Sequence, residues 1–518
     1  MVLLRSIATI GGFTLISRIF GFIRDILIAG FLGAGLVADA FFVAFKFPNL
    51  FRRLFAEGAF SAAFVPLFVK KFEAEGREAA ETFAAHALSV LLWSLAAVVA
   101  VFEVAMPWIM YALAPGFSDE PEKFRLAILL TRITFPYLLF VSLVTLLAGV
   151  MNALGKFWHA AATPIILNLS LIGAVLGLSP LMPSPGHALA WGVFGAGVLQ
   201  IVWMVVHTLR AGVWLRMVRP AFCSDIKLLL KRMAPVAVGA GIYQINLLID
   251  TIIASLLPEG SISYLFYADR VNQLPLGVIG VAVGTALLPL MSRQLRAGED
   301  EAAQNSQNRA MEFTMLLTVP AAVALIVLAE PIIVVLFHRG AFGAAAAHAT
   351  AMALAVYAVG VPAYVLNKSL ATAYFAREDT VTPIVIGAGA AVANICLNLI
   401  LMGPFLHVGI AMATAISSWF NAVVLAVVLY RRGHLRFDAR LCDRLPRTAL
   451  ASAGMGAALW FVLPTMTPPL AGGELERALA LAALVVGGLF LYGALAWATG
   501  AARYADITSL RRSPGPGA

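Results

Sequence analysis

The stretch ADAFFVAFKFPNLFRRLFAEGAFSAAFVPLF at residues 38–68 decides the fold class of this chain. It is largely apolar, and a helix over the predicted span 36–68 would be about 50 Å long at about 1.5 Å per residue, enough to cross a bilayer. Arg52 and Arg53 lie near its middle, where neither side chain readily reaches a membrane interface. The stretch is therefore predicted to be a membrane helix that carries charges at depth.

The rest of the chain has the same apolar character. Of its 518 residues, 61% are hydrophobic and 12% are charged, whereas soluble domains carry about 25% charged residues. A soluble protein cannot bury that much apolar surface, and disordered chains are poor in apolar residues. The apolar runs are also about twice as long as the roughly ten-residue alternating strands of a membrane β-barrel. The predicted fold class is an all-α polytopic membrane protein.

Apolar runs separated by polar or Gly/Pro breaks predict fourteen transmembrane helices. The even number places the N and C termini on the same side of the membrane. The predicted spans are 6–33, 36–68, 83–113, 125–152, 160–180, 188–209, 228–257, 262–292, 310–337, 346–374, 381–403, 407–430, 446–464 and 476–499.

The basic residues predict the orientation of these spans. With a cytoplasmic N terminus, 24 of the 36 Lys and Arg residues fall in inner connections or at the inner ends of spans, and 4 fall in outer connections or at the outer ends of spans. This asymmetry is the positive-inside rule, so both termini are predicted to be cytoplasmic. The formal charge of +9 is then mostly a topology signal and requires no nucleic-acid partner. The three cysteines lack the spacing of a disulfide framework or a zinc site.

An internal repeat predicts the domain organisation. Residues 49–67 align with 272–290 at a constant offset of 223. We therefore predict an N-lobe of six helices at 1–220, a C-lobe of six helices at 221–440, and two further helices with a cytoplasmic tail at 441–518. Two such lobes with a site between them are a common plan of secondary transporters.

The remaining eight basic residues lie within the predicted spans. An ionisable group near the bilayer centre costs roughly 3 kcal/mol, so it usually faces a cavity or a partner. The charged residues of the first two spans are Arg18, Arg24, Asp25, Asp39, Lys46, Arg52, Arg53 and Glu57, and Asp269 and Arg270 lie in span eight.

Helical spacing places several polar side chains of the second span on one face. These are Asp39, Lys46, Asn49, Arg53 and Glu57. Spans one and two contain five bases against three acids, and this surplus of arginine favours an anionic ligand because a guanidinium matches phosphate or carboxylate. Purely structural pairing, such as Arg24 with Asp39, is the alternative.

A second polar cluster is predicted in the C-lobe. Asp250, Asn394, Asn398 and Thr414 offer carboxylate, amide and hydroxyl oxygens, which suit a hard cation such as Na⁺. Interhelical hydrogen bonds are the alternative. The segment GVMNALGKF at 149–157 departs from the P-loop pattern, so ATP hydrolysis is not expected. Sodium, another ion and the membrane potential all stay open as the driving force.

The quoted stretch at 38–68, SRIFGFIRD at 17–25 and YADRVNQLPLGVIGVAVGTALLPLMS at 267–292 strongly resemble the MurJ (MviN) family of lipid II flippases. The resemblance extends over all the predicted spans. It implies membership of the multidrug/oligosaccharidyl-lipid/polysaccharide exporter superfamily and alternating access in the bacterial inner membrane. It also implies a transporter rather than an enzyme, which moves undecaprenyl-diphosphate disaccharide-pentapeptide to the outer leaflet for cell-wall biogenesis.

The resemblance implies roles for individual residues. The expected substrate-binding residues are Arg18, Arg24, Asp39, Asn49, Arg52, Arg53, Glu57 and Arg270. The expected structural or gating charges are Asp25, Lys46 and Asp269. Gln273 is neutral where an acid would have added a charge partner. The last two helices are expected to form a groove for the lipid tail. The family plan includes membrane lipids as partners and needs no cofactor other than a coupling ion and no second subunit.

Two other classes of function make different predictions. An exporter of cationic drugs would line its cavity with acids and aromatic residues and would tolerate charge reversal at the arginines. A structural membrane scaffold would respond to changes at these positions only through its stability.

Overall fold

The computed structural model describes residues 2–52 and 60–503, and of 2–10, 236–243, 278, 281–283, 285, 467 and 471 it describes the backbone alone. Every long regular element in these residues is a helix. The α-helices are α1 (Val2–Leu32), α2 (Leu36–Phe51), α3 (Ser61–Glu75), α4 (Arg77–Leu113), α5 (Pro121–Thr134), α6 (Tyr137–Ala153), α7 (Trp158–Gly173), α8 (Pro185–Arg210), α9 (Ser224–Ser255), α10 (Ser261–Arg296), α11 (Asp300–Val327), α12 (Ala329–Phe337), α13 (Ala344–Phe375), α14 (Val381–Arg431), α15 (Ala439–Val462), α16 (Thr467–Ala471) and α17 (Glu474–Ala498).

Helix α14 is interrupted near its middle, where the sequence predicts the break between spans eleven and twelve. Leu406 has φ 50° and ψ −133°, which no helical residue adopts. Just beyond it, Gly409 approaches the backbone of Leu401 so closely that a Cβ would lie 2.3 Å from the carbonyl oxygen. The chain therefore turns here at the cost of a strained leucine, and only glycine fits the contact.

The count of spanning helices differs from the prediction. Nine helical stretches in the described ranges are long and apolar enough to cross a membrane. Helix α2 has only 16 described residues, fewer than the roughly 20 that a span usually needs, and the interrupted α14 counts as one stretch. An all-helical, multi-span membrane architecture is confirmed, while the number fourteen stays a prediction.

Helix contacts group the chain into two units. The first comprises Met1–Ser263 together with Arg339–Gly343. One of its cores gathers apolar side chains from α3, α4, α6 and α8. A second core is built on stacked rings, with Phe102 and Phe135 at 5.1 Å and Phe47 and Phe135 at 5.2 Å. These cores hold the first helices around the charged residues considered below.

The second unit comprises Tyr264–His338 and Ala344–Ala518. Its cores pack α10, α11, α13 and α14 together and pack α15 and α17 on α11. The hydroxyl of Tyr492 donates a 2.6 Å hydrogen bond to the carbonyl of Leu316, which ties α17 to α11. Helix α9 has its contacts in the first unit, although the repeat assigns it to the C-lobe. Because the predicted lobes are defined by a repeat and not by contacts, the division at 220/221 stays a prediction.

Candidate functional site

Asp39 lies in the first turn of α2 and is only 1% exposed. Its carboxylate accepts hydrogen bonds from the backbone N–H of Gly260 at 2.8 Å and of Ser263 at 3.0 Å, and from the Ser263 hydroxyl at 2.6 Å. The ammonium of Lys123 lies 3.2 Å away. A buried carboxylate is stable only when it is paired in this way, so Asp39 is an anchoring charge in this conformation.

Two helix N termini are capped reciprocally at this point. Asp39 accepts from backbone groups at the start of α10, while Glu259, just before α10, accepts from the backbone N–H of Leu36 at 2.6 Å. The first N–H groups of a helix lack partners within the helix, and a carboxylate satisfies both the donors and the helix dipole. The start of α2 and the segment 259–263 therefore hold each other in place.

Lys123 is the residue of this cluster that sequence reasoning did not single out. It falls in the predicted connection between the third and fourth spans, and in the structure it lies in the first turn of α5 and is 1% exposed. Besides Asp39, its ammonium lies 4.5 Å from the centre of the Phe117 ring and 3.8 Å from the Glu120 carboxylate. Lys123 and Asp39 are far apart in the chain, so no local spacing could have identified the pair.

Arg24 does not pair with Asp39, the example given above of purely structural pairing. The Arg24 guanidinium binds Asp25 through two nitrogens at 2.6 and 2.9 Å, and its other terminal nitrogen donates to the Asn168 side chain at 2.8 Å. Asn168 in turn donates to the Ser17 carbonyl at 2.8 Å. Arg24 turns to α7 because Asp25 is adjacent in sequence and Asn168 supplies an acceptor, whereas Asp39 is occupied by Lys123.

The network around Arg24 is buried. Arg24 is 7% exposed and Asp25 is 4% exposed. The predicted binding residue Arg18, two helical turns earlier on α1, is exposed. Asn168 was missed by sequence reasoning because a lone asparagine in an apolar helix carries no motif. Its position in a predicted span was the only signal that could have pointed to it.

The described part of the predicted charged face of α2 is not uniform. Asp39 is buried, Lys46 is exposed, and Asn49 and Arg52 are half-buried. Arg52 donates from Nε to the Asn49 side chain at 3.0 Å, and Asn49 donates to the Phe45 carbonyl at 2.8 Å. Arg52 and Asn49, both predicted to bind the substrate, are therefore in contact with each other. The predicted binding residues Arg53 and Glu57 lie outside the described residues.

Arg270 and Asp269 lie on α10 in the second unit. The Arg270 guanidinium lies 4.5 Å from the centre of the Phe266 ring, one turn earlier on the same helix. Asp269 accepts a hydrogen bond from the amide of Gln273. The neutral Gln273 is thus a partner of Asp269 through its amide.

Three of the four residues predicted to bind sodium lie close together in the second unit. The Asn398 amide donates to Asn394 at 3.1 Å, and the Asn394 amide donates to the Ser417 hydroxyl at 3.3 Å. Thr414, one turn before Ser418, donates to the Ile410 carbonyl at 2.9 Å. Asp250 belongs to the first unit. The sodium site stays a prediction.

Comparison with known proteins identifies the family. A family model described as "Lipid II flippase MurJ" matches residues 28–480. The chain belongs to the MurJ family. The "Probable lipid II flippase MurJ" of Rhizobium meliloti (strain 1021) is 44% identical over an alignment that covers 100% of this chain and 97% of that protein. The "Lipid II flippase MurJ" of Burkholderia cenocepacia is 34% identical over 96% of this chain and 98% of that protein.

Solved structures agree with this assignment to the MurJ family. One described as "Lipid II flippase MurJ, inward closed conformation" has a TM-score of 0.78 and 26% identity, covering 96% of this chain and 99% of that one. An inward-facing multidrug resistance MATE family transporter of the MOP superfamily has a TM-score of 0.69 at 13% identity, covering 80% and 94%. The second likeness shows the fold alone. Membership confirms a multi-pass protein of the bacterial inner membrane and a family of flippases, not of enzymes.

Proposed function

We propose that this protein moves lipid II, undecaprenyl-diphosphate disaccharide-pentapeptide, from the cytoplasmic to the periplasmic leaflet for peptidoglycan synthesis. The observation that carries the proposal is the match of the MurJ family model over residues 28–480. The arginines of the first two spans support it, because a diphosphate is an anion that guanidinium groups bind well. We propose fourteen spans, with both termini in the cytoplasm.

Arg24 is the first candidate for contact with the diphosphate. In the conformation described, Asp25 compensates its positive charge, and a hydrogen bond to Asn168 orients its guanidinium group. An incoming diphosphate would compete with Asp25 for the same guanidinium nitrogens, so the Arg24 charge stays compensated when one anion replaces the other. The other residues proposed to bind the substrate are Arg18, Asn49, Arg52, Arg53, Glu57 and Arg270.

Asp39 has a different proposed role. Its carboxylate caps the start of α10 and binds Lys123, so it is an anchor at the predicted periplasmic end of α2. Alternating access requires the elements at this end to separate when the substrate leaves. We therefore propose that Asp39 acts as a gating charge and that lipid II does not bind to it directly in this state. Asp25, Lys46 and Asp269 are proposed to act as structural or gating charges.

Coupling and assembly complete the proposal. Sodium is proposed as the coupling ion, with oxygens of Asn394, Asn398 and Thr414 in the second unit as its ligands, since oxygens of these kinds bind hard cations. The protein is proposed to act as a monomer, because two lobes within one chain supply both halves of a transporter.

A complementation experiment tests the function. The protein is expressed in bacteria that have been depleted of their own MurJ-family flippase. The amount of labelled lipid II that is accessible at the outer leaflet is then measured. We expect wild type to restore external lipid II and Arg24→Ala to abolish it. Arg125→Ala, a change of the same residue type at an exposed position of α5, should act like wild type. External lipid II that stays low with a folded wild-type protein would refute the proposal.

A further inference from the structure

A basic pocket lies at the predicted cytoplasmic end of α14, within the second unit. Its volume is about 630 Å³. It lies where the helix ends and the chain continues as a short non-helical segment towards α15. The residues that line it are Tyr430, Arg431, Gly433, Leu435, Arg436 and Phe437.

The backbone of the pocket is held rigidly. Gly433 adopts φ 74°, the left-handed conformation that ends a helix, and its carbonyl accepts from the Gln304 amide at 3.1 Å. The Arg436 carbonyl accepts from the Asn308 amide at 2.7 Å. Leu435, between them, is fully buried in the core of the unit. Two side chains of α11 and one buried leucine therefore fix the segment that carries the charges.

Among the described residues, no carboxylate neutralises the positive charge of the pocket. Arg431 and Arg436 are exposed, and neither guanidinium lies within 4 Å of a carboxylate of the described residues. Three acids of this region are bound to other arginines. These pairs are Asp379 with Arg432, Asp438 with Arg309, and Glu312 with Arg440 and Arg444.

Two aromatic rings frame the same pocket. Tyr430 is 60% exposed and Phe437 is 46% exposed. Their rings are nearly parallel, with centroids 6.3 Å apart and an interplanar angle of 18°. Exposed aromatic residues at the end of a membrane helix typically lie at the level of the lipid headgroups. The arginines beside them are then at the depth of the phosphate groups.

We propose that this pocket binds the phosphate headgroup of an anionic glycerophospholipid of the cytoplasmic leaflet. Arginine binds phosphate through paired N–H donors, and basic pockets on the cytoplasmic side of membrane helices select anionic lipids. A volume of about 630 Å³ holds a glycerophosphate headgroup with space for its polar substituent. The bound lipid would hold the link between α14 and α15 at the membrane surface. The proposal uses the predicted orientation and does not depend on which substrate is flipped.

The chain supplies a matched control in the corresponding connection of the first unit. Helix α8 ends in the same way, with Gly212 at φ 81°, and Arg216 and Arg219 follow as exposed residues. The cavity at that segment, lined by Leu215 and Met217 among others, is almost wholly apolar. Neutralising Arg216 and Arg219 therefore removes the same charge from the same predicted side without touching a basic pocket.

The test titrates the detergent-purified full chain with phosphatidylglycerol and, separately, with phosphatidylcholine, and counts bound lipids by native mass spectrometry. We expect Arg431→Gln/Arg436→Gln to weaken phosphatidylglycerol binding about tenfold or more, and Arg216→Gln/Arg219→Gln to change it less than twofold. Phosphatidylcholine binding should be weak in all three proteins. Thermal unfolding is used to check that the variants are folded. If Arg431→Gln/Arg436→Gln does not fold, the single variant Arg436→Gln, at an exposed position, takes its place.

Several outcomes would overturn the proposal. Equal losses in the two double variants would mean general electrostatic attraction to the membrane surface. Undiminished binding in Arg431→Gln/Arg436→Gln, or equal binding of the zwitterionic lipid, would exclude an anion site here. Displacement of phosphatidylglycerol from this pocket by lipid II at lower concentration would identify the pocket as an entrance for substrate instead. Because the assay measures binding without flipping, its failure leaves the proposed function untouched.

Discussion

The carboxylate of Asp39 accepts hydrogen bonds from both the hydroxyl and the backbone N–H of Ser263, at 2.6 and 3.0 Å. A residue in the first turn of α2 therefore caps the start of α10. The same carboxylate binds the buried ammonium of Lys123. One acid thus connects three elements whose positions in the sequence are far apart, which makes it a sensitive point for mutation.

We expect Asp39→Asn to destabilise the protein by roughly 3 kcal/mol, because it leaves the buried Lys123 ammonium without its counter-charge. Thermal unfolding in detergent measures the effect. The double variant Asp39→Asn/Lys123→Met should recover most of the loss. Glu259→Gln, at an exposed acid that caps α2, should cost about 1 kcal/mol or less. Equal destabilisation by Asp39→Asn and Glu259→Gln would show that the buried pair has no special weight.

We expect Asn168→Ala to reduce external lipid II about tenfold while the protein still inserts and folds. Asn168 orients the Arg24 guanidinium at 2.8 Å, and an interaction of about 1.4 kcal/mol corresponds to a tenfold change. Ser17→Ala is the control, since Asn168 binds mainly the backbone carbonyl of Ser17, which the substitution keeps. Wild-type flipping by a folded Asn168→Ala protein would remove Asn168 from the site.

The second unit contains a buried acid that binds three arginines. Glu312 is 8% exposed and accepts from Arg309, Arg440 and Arg444, the last of which is itself 6% exposed. We expect Glu312→Gln to lower the free energy of unfolding by roughly 3 kcal/mol, because the buried carboxylate that binds three guanidinium groups loses its negative charge. Thermal unfolding checks this expectation.

Arg440→Gln is the matched control for Glu312. The Arg440 side chain is 45% exposed and lies 3.2 Å from the same carboxylate, and exposed ion pairs contribute about 1 kcal/mol or less. A loss in Arg440→Gln as large as in Glu312→Gln would contradict the assignment of the effect to burial.

The connection between α13 and α14 should give a pH-dependent contribution to stability. Hydrogen bonds from the Thr382 hydroxyl and backbone N–H, followed by Arg432, lower the pKa of Asp379 from 3.8 to about 2. Because the pKa is lower in the folded protein, the ionised carboxylate stabilises the fold at pH values above 3.8, its pKa in the unfolded chain. This stabilisation is lost as the pH falls from about 3.8 to about 2. Solvent screening reduces the contribution to about 1 kcal/mol.

The comparison of wild type with Asp379→Asn in thermal unfolding measures this contribution. The difference in midpoint should be constant above about pH 5 and should shrink as the pH falls through 3.8. Thr382→Val should reproduce most of the loss, because the threonine hydroxyl is the largest cause of the shift. A difference that grows towards low pH would have the wrong sign and would refute the interpretation.

Much of the fold follows from local sequence patterns. Apolar runs predicted the helices, and the break in α14 at Leu406 falls between two predicted spans. The contact of Arg52 with Asn49 follows from helical spacing, since side chains three residues apart lie on one face. The segment SRIFGFIRD and the arginine-rich stretch that follows it predicted the family, which the match over residues 28–480 confirms.

The partners of the buried charges could not be predicted in this way. Arg24 pairs with Asp25 and Asn168, and Asp39 with Lys123 and Ser263. An unpaired charge inside a membrane protein is costly, so each buried acid or base needs a partner. The sequence predicts that such a partner exists, but it does not predict which residue it is.

The sequence by itself determined the class of protein and its family, because hydropathy, helical period and short motifs are local properties of the chain. Only the tertiary structure decided that Asp39 anchors α10 and Lys123 while Asn168 holds Arg24. The physical reason is that charge pairing depends on distance in space, and packing brings together residues such as Lys123 and Asp39 that no spacing relates.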